Sequence, residues 1–244
     1  LLFNWGEPFL NKDIIEIMSY AKKKYSPYIV ISSNMNVDLS YENACKIVDS
    51  GLDKFIASID GITQQSYEIY RKKGDCRLAF ENLKMLVKAK KDMNSQTPEI
   101  VWQYLVFKHN EHELAEAEKL ACEMGVDKIE FQKPWCPVEW ASTIERYSNY
   151  VAGRQDKEYK YKEDYCNWLW NSVVINSNGS VSPCCSVEDE KEDFGNIFGQ
   201  SFFKLYNNEN FAAARRYNKT RKNGERVNRC TLCEHIGTCN HKRN

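Results

Sequence analysis

Residues 52–61, LDKFIASIDG, contain the stretch that decides the fold. The apolar run in its middle is short and is followed by the turn signal Asp60-Gly61, which predicts a buried strand that ends at this point. The preceding residues 41–51, YENACKIVDSG, have the apolar spacing of an amphipathic helix and end at a glycine, a common helix stop. A helix followed directly by a buried strand is the repeating unit of a parallel α/β sheet.

The same alternation extends in both directions from this stretch. Strands are predicted at LLFNW (1–5), YIVISSN (28–34), EIVWQYLVF (99–107) and VDKIEFQK (126–133), and amphipathic helices at 12–25, 78–92 and 111–125. Strands that alternate with helices indicate a parallel sheet with right-handed crossovers. In that architecture, ligand-binding residues gather just beyond the carboxyl ends of the strands.

The composition argues against several classes of function. The chain has 244 residues, 42% of them hydrophobic, which is enough for an enzyme-sized core. Its 34 basic and 34 acidic residues balance, so no net field would concentrate nucleic acid or an anionic membrane. No apolar run is long enough for a spanning helix, and the first residues are more typical of a strand than of a signal peptide. We therefore expect a cytoplasmic protein that binds no nucleic acid and does not span a membrane.

Polar residues cluster where the predicted strands end. The first strand is followed by Gly6-Glu7-Pro8, in which glycine permits close backbone approach, glutamate accepts from a cation and proline fixes the exit of the chain. Later strand ends carry Ser33, Asn34, Ser58 and Asp60, and Arg71 follows on a short helix. Each residue also has a plainer interpretation, because serine, asparagine and aspartate cap helices and turns, and a lone arginine is usually a solvated surface residue.

The chain has ten cysteines and no mark of secretion, so reduced thiols are expected rather than a disulfide framework. Three of them are interpreted as small apolar core residues: Cys45, Cys76 and Cys122. Cys166 and Cys184 flank a predicted hairpin that turns at Gly179, and the pair Cys230-x2-Cys233 follows. Two separated cysteine pairs predict a metal site. Zinc and iron–sulfur clusters both accept four thiolates, so the spacing alone does not choose between them.

In their order and strand contexts, the strand-end motifs resemble those of the radical S-adenosylmethionine enzymes. The matching pieces are GEP (6–8), SSN (32–34), SIDG (58–61), YRKKGD (70–75) and WQYLVFKHNEHE (102–113). The resemblance covers residues 1–135 and implies an α/β fold, a partial (β/α)6 TIM-like barrel whose first β/α unit is missing from this chain. It implies S-adenosylmethionine as cofactor, with Gly6 and Glu7 at the methionyl ammonium and Arg71 at the carboxylate. The ribose region would be held by Ser58, Asp60 and Gln103, beside Pro8, Ser33 and Asn34.

Two features depart from the family's pattern. The CxxxCxxC motif that holds the family's S-adenosylmethionine-binding [4Fe-4S] cluster does not occur in this chain, and we expect it on a missing upstream segment. Trp5 stands where the family usually has another glycine. The chain alone is therefore expected to be inactive.

The cysteines behind the predicted barrel resemble the SPASM and twitch domains of the same family. The pattern C-x9-15-G-x4-C followed by C-x2-C-x5-C fits residues 166–239. It implies a connector over 136–165 and a small cluster domain with a β-hairpin over 166–244. One auxiliary [4Fe-4S] cluster, as in the twitch domain, would be ligated by Cys166, Cys184, Cys230 and Cys233, with Cys185 and Cys239 as alternative ligands.

The resemblance implies an oxidoreductase-type enzyme that generates a 5′-deoxyadenosyl radical and abstracts a hydrogen atom from a sugar-like small molecule or a peptide. A reductant such as flavodoxin or ferredoxin would be its partner, and the auxiliary cluster would accept the substrate electron or anchor the substrate. Cys136, after the last predicted strand, would donate a hydrogen atom or a proton to the substrate radical, or it is a half-buried structural residue. The alternative function is a non-catalytic interaction protein with a four-cysteine zinc site on a degenerate barrel.

Overall fold

The structure, a computed structural model, describes residues 1–148, 150–151, 154–155, 166–220 and 230. The chain divides into two compact units, Leu1–Lys157 and Glu158–Asn244. No helix in this described part of the chain is both long enough and apolar enough to cross a membrane.

A sheet of four parallel strands forms the frame of the first unit, in the order β1-β2-β3-β4. Its strands are β1 (Val30–Ser33), β2 (Lys54–Ser58), β3 (Glu99–Leu105) and β4 (Lys128–Gln132). The helices of this unit are α1 (Ile14–Tyr25), α2 (Tyr41–Asp49), α3 (Gln64–Tyr70), α4 (Cys76–Asp92) and α5 (Leu114–Met124). At least one helix separates each strand from the next, so consecutive strands pair in parallel, as the alternation predicts.

Side-chain caps fix where α2 and α4 begin, and a glycine ends α5. The Ser40 hydroxyl accepts a hydrogen bond from the Asn43 amide at 3.2 Å before α2. Asp75 Oδ1 accepts from the Leu78 amide at 3.0 Å before α4. Helix α5 ends at Gly125, whose φ of 75° is left-handed and favours glycine. Each N-terminal cap contributes about 1 kcal/mol and fixes the residue at which its helix begins.

Large side chains on one face of the sheet form the core with the helices. Phe55, Trp102 and Tyr104 are fully buried. The indole N–H of Trp102 donates to the carbonyl of Ile59 at 2.8 Å, so its burial leaves no polar atom of the ring unsatisfied. Residues that alternate with these, such as the half-buried Gln103, lie on the other face.

Residues 1–5 differ from the expectation, because they do not form a strand. The Leu2 amide donates to the Val30 carbonyl at 2.8 Å, so this segment runs beside β1. At Gly6 the backbone turns with a φ of 101°, a value outside the extended region, and the pairing cannot continue. The parallel sheet therefore has four strands in the described residues, and the strand predicted at residues 1–5 is wrong.

Short antiparallel pairs follow the parallel sheet. In the first unit, β5 (Tyr150–Val151) pairs with β6 (Arg154–Gln155). The second unit contains α6 (Trp168–Asn171), β7 (Val174–Ile175), β8 (Val181–Ser182), α7 (Phe202–Tyr206) and α8 (Glu209–Thr220). Strands β7 and β8 pair antiparallel. The turn between them contains Gly179, where a Cβ atom would lie 2.4 Å from the Phe198 ring.

An apolar cluster holds the second unit together. Its buried members are Leu169, Val181, Phe194, Leu205, Phe211 and Ala214. The rings of Phe194 and Phe211 meet edge to face with centroids 4.9 Å apart, a favoured aromatic geometry. This unit therefore has a core of its own.

Candidate functional site

A cavity opens at the carboxyl ends of β1 and β2. Its wall contains these residues that were predicted to bind the cofactor: Gly6, Glu7, Ser33, Asn34, Ser58 and Arg71. Phe3, Asn4 and Ser32 complete the lining and were not predicted. The rule that ligands meet the carboxyl ends of parallel strands could have found Ser32, which precedes Ser33 on β1. Phe3 and Asn4 carry no comparable sequence signal.

Glu7 fastens the first loop to the end of β1. Its Oε2 accepts a hydrogen bond from the Asn34 amide at 2.8 Å, and its Oε1 accepts from the Phe9 amide at 3.2 Å. The second bond caps a short 3₁₀ helix, Pro8–Leu10, whose first position is the proline. Each carboxylate oxygen has two lone pairs, so Glu7 can still accept from a cation in the cavity.

Ser33 and Asn34 shape the turn that leaves β1. The Ser33 hydroxyl accepts from the amide two residues later at 3.0 Å, and Asn34 Oδ1 accepts from the amide two residues later at 2.8 Å. The hydroxyls of Ser32 and Ser58 lie 3.1 Å apart and join the ends of β1 and β2. At Ser33 and Asn34 the contacts are those of turn residues, the plainer interpretation of the sequence.

Arg71 and Asp60 form an ion pair at the wall of the cavity. Arg71 Nε donates to Asp60 Oδ2 at 2.6 Å, and Asp60 Oδ1 accepts from the Leu105 amide at 2.7 Å. The Asp60 side chain is fully buried, whereas 25% of the Arg71 side chain is exposed. Burial raises the pKa of the Asp60 carboxyl, and the charge of Arg71 and the Leu105 amide act in the opposite direction. Asp60 thus lies behind Arg71 and not in the cavity wall.

Gln103 lies beside the cavity on β3. It is in register with Ser58 of β2 and Glu130 of β4, so these side chains share one face of the sheet. The structure therefore brings together the predicted residues at the ends of β1 and β2. Pro8, Asp60 and Gln103 lie around them but not in the lining.

Cys136 lies in the loop after β4, outside the residues that line the cavity. It is half-buried. Burial, with a further contribution from the charge of Glu139, raises the pKa of its thiol. The thiol is therefore protonated at neutral pH, which is compatible with a hydrogen donor and with a structural residue.

Three of the predicted cluster ligands lie in the described part of the second unit. The Cys166 amide donates to Asn218 Oδ1 at 3.0 Å. Cys184 is buried just beyond β8, and Cys230 packs against the apolar cluster. Cys185, an alternative ligand, is half-buried beside Cys184.

The remaining predicted ligands, Cys233 and Cys239, lie outside the described residues. Within the described ranges, no three His, Cys, Asp or Glu side chains are close enough together to hold a metal ion. The four predicted ligands are all cysteines, and four thiolates are the usual ligands of a [4Fe-4S] cluster, so their chemistry fits the predicted cluster.

Comparisons with known proteins address both units. Residues 166–234 match the model of the SPASM family, an iron-sulfur cluster-binding domain. Among solved structures, BtrN in an open conformation has a TM-score of 0.46 and 15% identity over 94% of this chain and 68% of that chain. BtrN in complex with AdoMet and 2-DOIA has a TM-score of 0.44 and 16% identity over 88% of this chain and 64% of that chain. Tagged anSMEcpe with bound AdoMet has a TM-score of 0.52 and 16% identity over 85% of this chain and 63% of that chain.

The chain spans about two thirds of the length of these solved structures. The likeness to anSMEcpe shows a shared fold. The fold and the SPASM match over residues 166–234 together define the class of protein. It is an α/β protein with a parallel sheet, followed by an iron-sulfur segment of the SPASM type. The predicted resemblance to radical S-adenosylmethionine enzymes with a SPASM domain is confirmed at the level of the fold and of this segment.

Proposed function

We propose that this chain belongs to a radical S-adenosylmethionine enzyme and that its cavity binds the methionyl end of S-adenosylmethionine. The observation that carries the proposal is the convergence of Arg71, Ser58 and the Gly6-Glu7 loop around one cavity. A guanidinium complements a carboxylate, and a glutamate complements an ammonium, so the wall suits a zwitterionic amino acid. The AdoMet bound in anSMEcpe, whose fold this chain shares, supports this ligand.

The size of the cavity supports binding of one end of the cofactor. Its volume is about 170 Å³, below the roughly 300–1,000 Å³ of pockets that enclose whole drug-sized ligands. Arg71 would bind the methionyl carboxylate, and Gly6 and Glu7 would bind the ammonium. The nucleoside would lie toward the sheet face that carries Ser58 and Gln103.

The reaction class in this proposal is abstraction of a hydrogen atom from a sugar-like small molecule or a peptide. Bound S-adenosylmethionine supplies the adenosyl group that removes this hydrogen, with a reductant such as flavodoxin or ferredoxin as the electron source. The residues of this chain hold and orient the cofactor and exclude water from it. Cys136, whose thiol is protonated at neutral pH, would donate a hydrogen atom to the substrate radical, and an electron from the reductant with a proton from solvent would restore the thiol.

In the second unit, Cys166, Cys184, Cys230 and Cys233 would hold one auxiliary [4Fe-4S] cluster. The SPASM match over residues 166–234 supports iron and sulfide at these thiolates. A structural zinc ion in a non-catalytic protein is the alternative, because zinc accepts the same ligands.

A titration followed by NMR tests the cavity without requiring turnover. The nitrogen-15-labelled chain is titrated with S-adenosylmethionine to millimolar concentration, and we expect saturable shifts of the amides of Gly6, Asn34 and Ser58. Methionine, which shares the amino-acid end, should compete, whereas adenosine should shift the amides of Gly6 and Asn34 little. Saturable shifts confined to other parts of the chain, or no shifts at all, would contradict the proposed site.

A further inference from the structure

The guanidinium of Arg71 is held on its inner side and open on its outer side. Nε donates to Asp60 at 2.6 Å, which occupies the edge of the guanidinium nearest the side-chain stem. No acceptor in the described ranges takes a hydrogen bond from the terminal nitrogens of Arg71. Arg71 also lines the cavity. Its unpaired donors are therefore available to an anion there.

The plane of this guanidinium has a second restraint. It lies over the Tyr70 ring, 5.2 Å from the centroid, and the Tyr70 ring packs against Phe107 at 4.7 Å. Phe107 is fully buried in the loop after β3. One contact thus fixes the edge of the guanidinium, and the other fixes its plane.

Asp60 is itself fixed by residues at the end of β3. The Leu105 amide donates to its Oδ1 at 2.7 Å, and the Asn110 side-chain amide donates to its backbone carbonyl at 3.0 Å. The side chain has no exposed surface. Both carboxylate oxygens are therefore engaged inside the protein, which leaves no exposed oxygen for a ribose hydroxyl.

We propose that Asp60 is a positioning residue, which orients Arg71 toward the carboxylate of S-adenosylmethionine and does not contact this ligand itself. The inference rests on the proposed function for the identity of the ligand. It replaces the ribose contact that the sequence motif implies for Asp60.

The physical reason for such a residue is the freedom of an arginine side chain. Arg71 follows the last residue of α3, a helix of only 7 residues, where neighbouring turns give a long side chain little support. Ordering a flexible side chain at the moment of binding weakens affinity, whereas a side chain ordered beforehand avoids this loss. Asp60 supplies the order because its own position is set by the sheet.

Hydrogen exchange of the arginine Nε protons tests the positioning without any ligand. In the wild-type chain, the Nε proton of Arg71 should exchange at least tenfold more slowly than that of Arg77. Arg77 is a matched control, because its side chain is 82% exposed and its Nε lies 3.9 Å from Glu81. Equal exchange rates for the two protons would overturn the proposal, and this result needs no variant that folds.

The variant Asp60→Asn tests the consequence for binding. Asparagine keeps the shape but offers one oxygen to two donors, so either Arg71 or Leu105 loses its acceptor. We expect affinity for S-adenosylmethionine to fall about tenfold, the scale of a charged hydrogen bond. Affinity for decarboxylated S-adenosylmethionine should change less than twofold, because that ligand lacks the group that Arg71 binds.

One control variant and two further outcomes separate the inference from its alternatives. Asp53→Asn removes another ion pair of the same unit, between Lys22 and Asp53, and should leave both affinities unchanged. If Asp60→Asn weakens both ligands equally, Asp60 is merely structural and the inference is wrong. If neither ligand binds the wild-type chain while the Arg71 proton is protected, the proposed function fails, and with it the ligand named in the inference.

Discussion

Two carboxylates near the cavity, those of Glu7 and Asp60, use their oxygens in different ways. Glu7 accepts from two backbone amides and lines the cavity. Asp60 accepts from one amide and from Arg71, and it is buried. Among the described residues no side-chain cation pairs with Glu7, whereas Arg71 compensates the charge of Asp60. The wall therefore presents a negative group at Glu7 and a positive one at Arg71, a pattern that complements a zwitterion.

The variant Arg71→Lys should weaken binding of S-adenosylmethionine by about 1–3 kcal/mol. Lysine carries the charge but lacks the Nε donor that contacts Asp60 and the planar pair of terminal nitrogens. The dissociation constant from the NMR titration measures the effect. Arg77→Lys, on the exposed surface, is the matched control and should leave the constant unchanged. If Arg71→Lys and wild type bind S-adenosylmethionine with equal affinity, Arg71 does not bind the ligand and is an ordinary surface arginine.

Single residues of the candidate site differ in how far the sequence could predict them. Ser58 and Arg71, which line the cavity, could be predicted as ligand-binding residues because strand ends and the turn after SIDG can be located without tertiary structure. The partners of Asp60 could not be found in the same way. The Leu105 amide reaches it only because the register of β2 and β3 brings the two strand ends together, and register is a tertiary property.

At the scale of elements, one ion pair joins α1 to the start of β2. Lys22 in the last turn of α1 donates to both oxygens of Asp53, at 2.8 and 2.7 Å. The Ile29 amide donates to Asp53 Oδ2 at 2.7 Å. Burial alone would raise the pKa of the Asp53 carboxyl, but the hydrogen bonds from Lys22 and Ile29 outweigh it and lower the pKa. Asp53 therefore connects α1, the residue that precedes β1 and the start of β2.

Asp53→Asn should lower the free energy of unfolding at pH 7 by about 1–2 kcal/mol, the scale for hydrogen bonds to a charged group. Because the folded pKa lies below the unfolded value, the stabilisation is present above about pH 4 and is lost as pH falls through the folded pKa. Urea denaturation at neutral pH and at about pH 3 measures both effects, and the difference between wild type and variant should shrink in acid. If the difference in the free energy of unfolding between wild type and variant does not change with pH, the lowered pKa of Asp53 is contradicted.

The control for this prediction is Glu81→Gln, which removes an exposed pair on α4. The Arg77 and Glu81 side chains are 82% and 56% exposed. Exposed pairs contribute little, so this variant should change the free energy of unfolding by less than about 0.5 kcal/mol.

Elements differ in how well the sequence predicts them, for a physical reason. The helices α1, α2, α4 and α5 were predicted because apolar periodicity and caps are local signals. The segment 1–5 is apolar like a strand, yet its backbone bends from Asn4 and leaves the extended region at Gly6. Composition alone did not reveal that turn, because glycine adopts extended and left-handed backbone equally well.

At the scale of the whole molecule, each compact unit has its own apolar core. The units divide after Lys157, and the SPASM match begins at Cys166. The division predicted from the sequence, with a barrel over 1–135 and a connector over 136–165, stays a prediction. The cysteine positions led to a predicted metal site because metal-ligand spacing is a local signal, whereas an approach of Cys166 to Cys230 would depend on the fold of the second unit.

Anaerobic reconstitution with iron and sulfide should load about four irons per chain, because a [4Fe-4S] cluster is held by four thiolates. Cys230→Ala should lose this iron, since Cys230 belongs to the proposed ligand set and packs against the core of the second unit. Cys45→Ala should keep it, because Cys45 packs against the core of the first unit instead. Iron and acid-labile sulfide are measured together with the visible absorption. About one zinc per chain without sulfide would reject the cluster and favour the zinc protein, and equal iron in both variants would exclude Cys230 as a ligand.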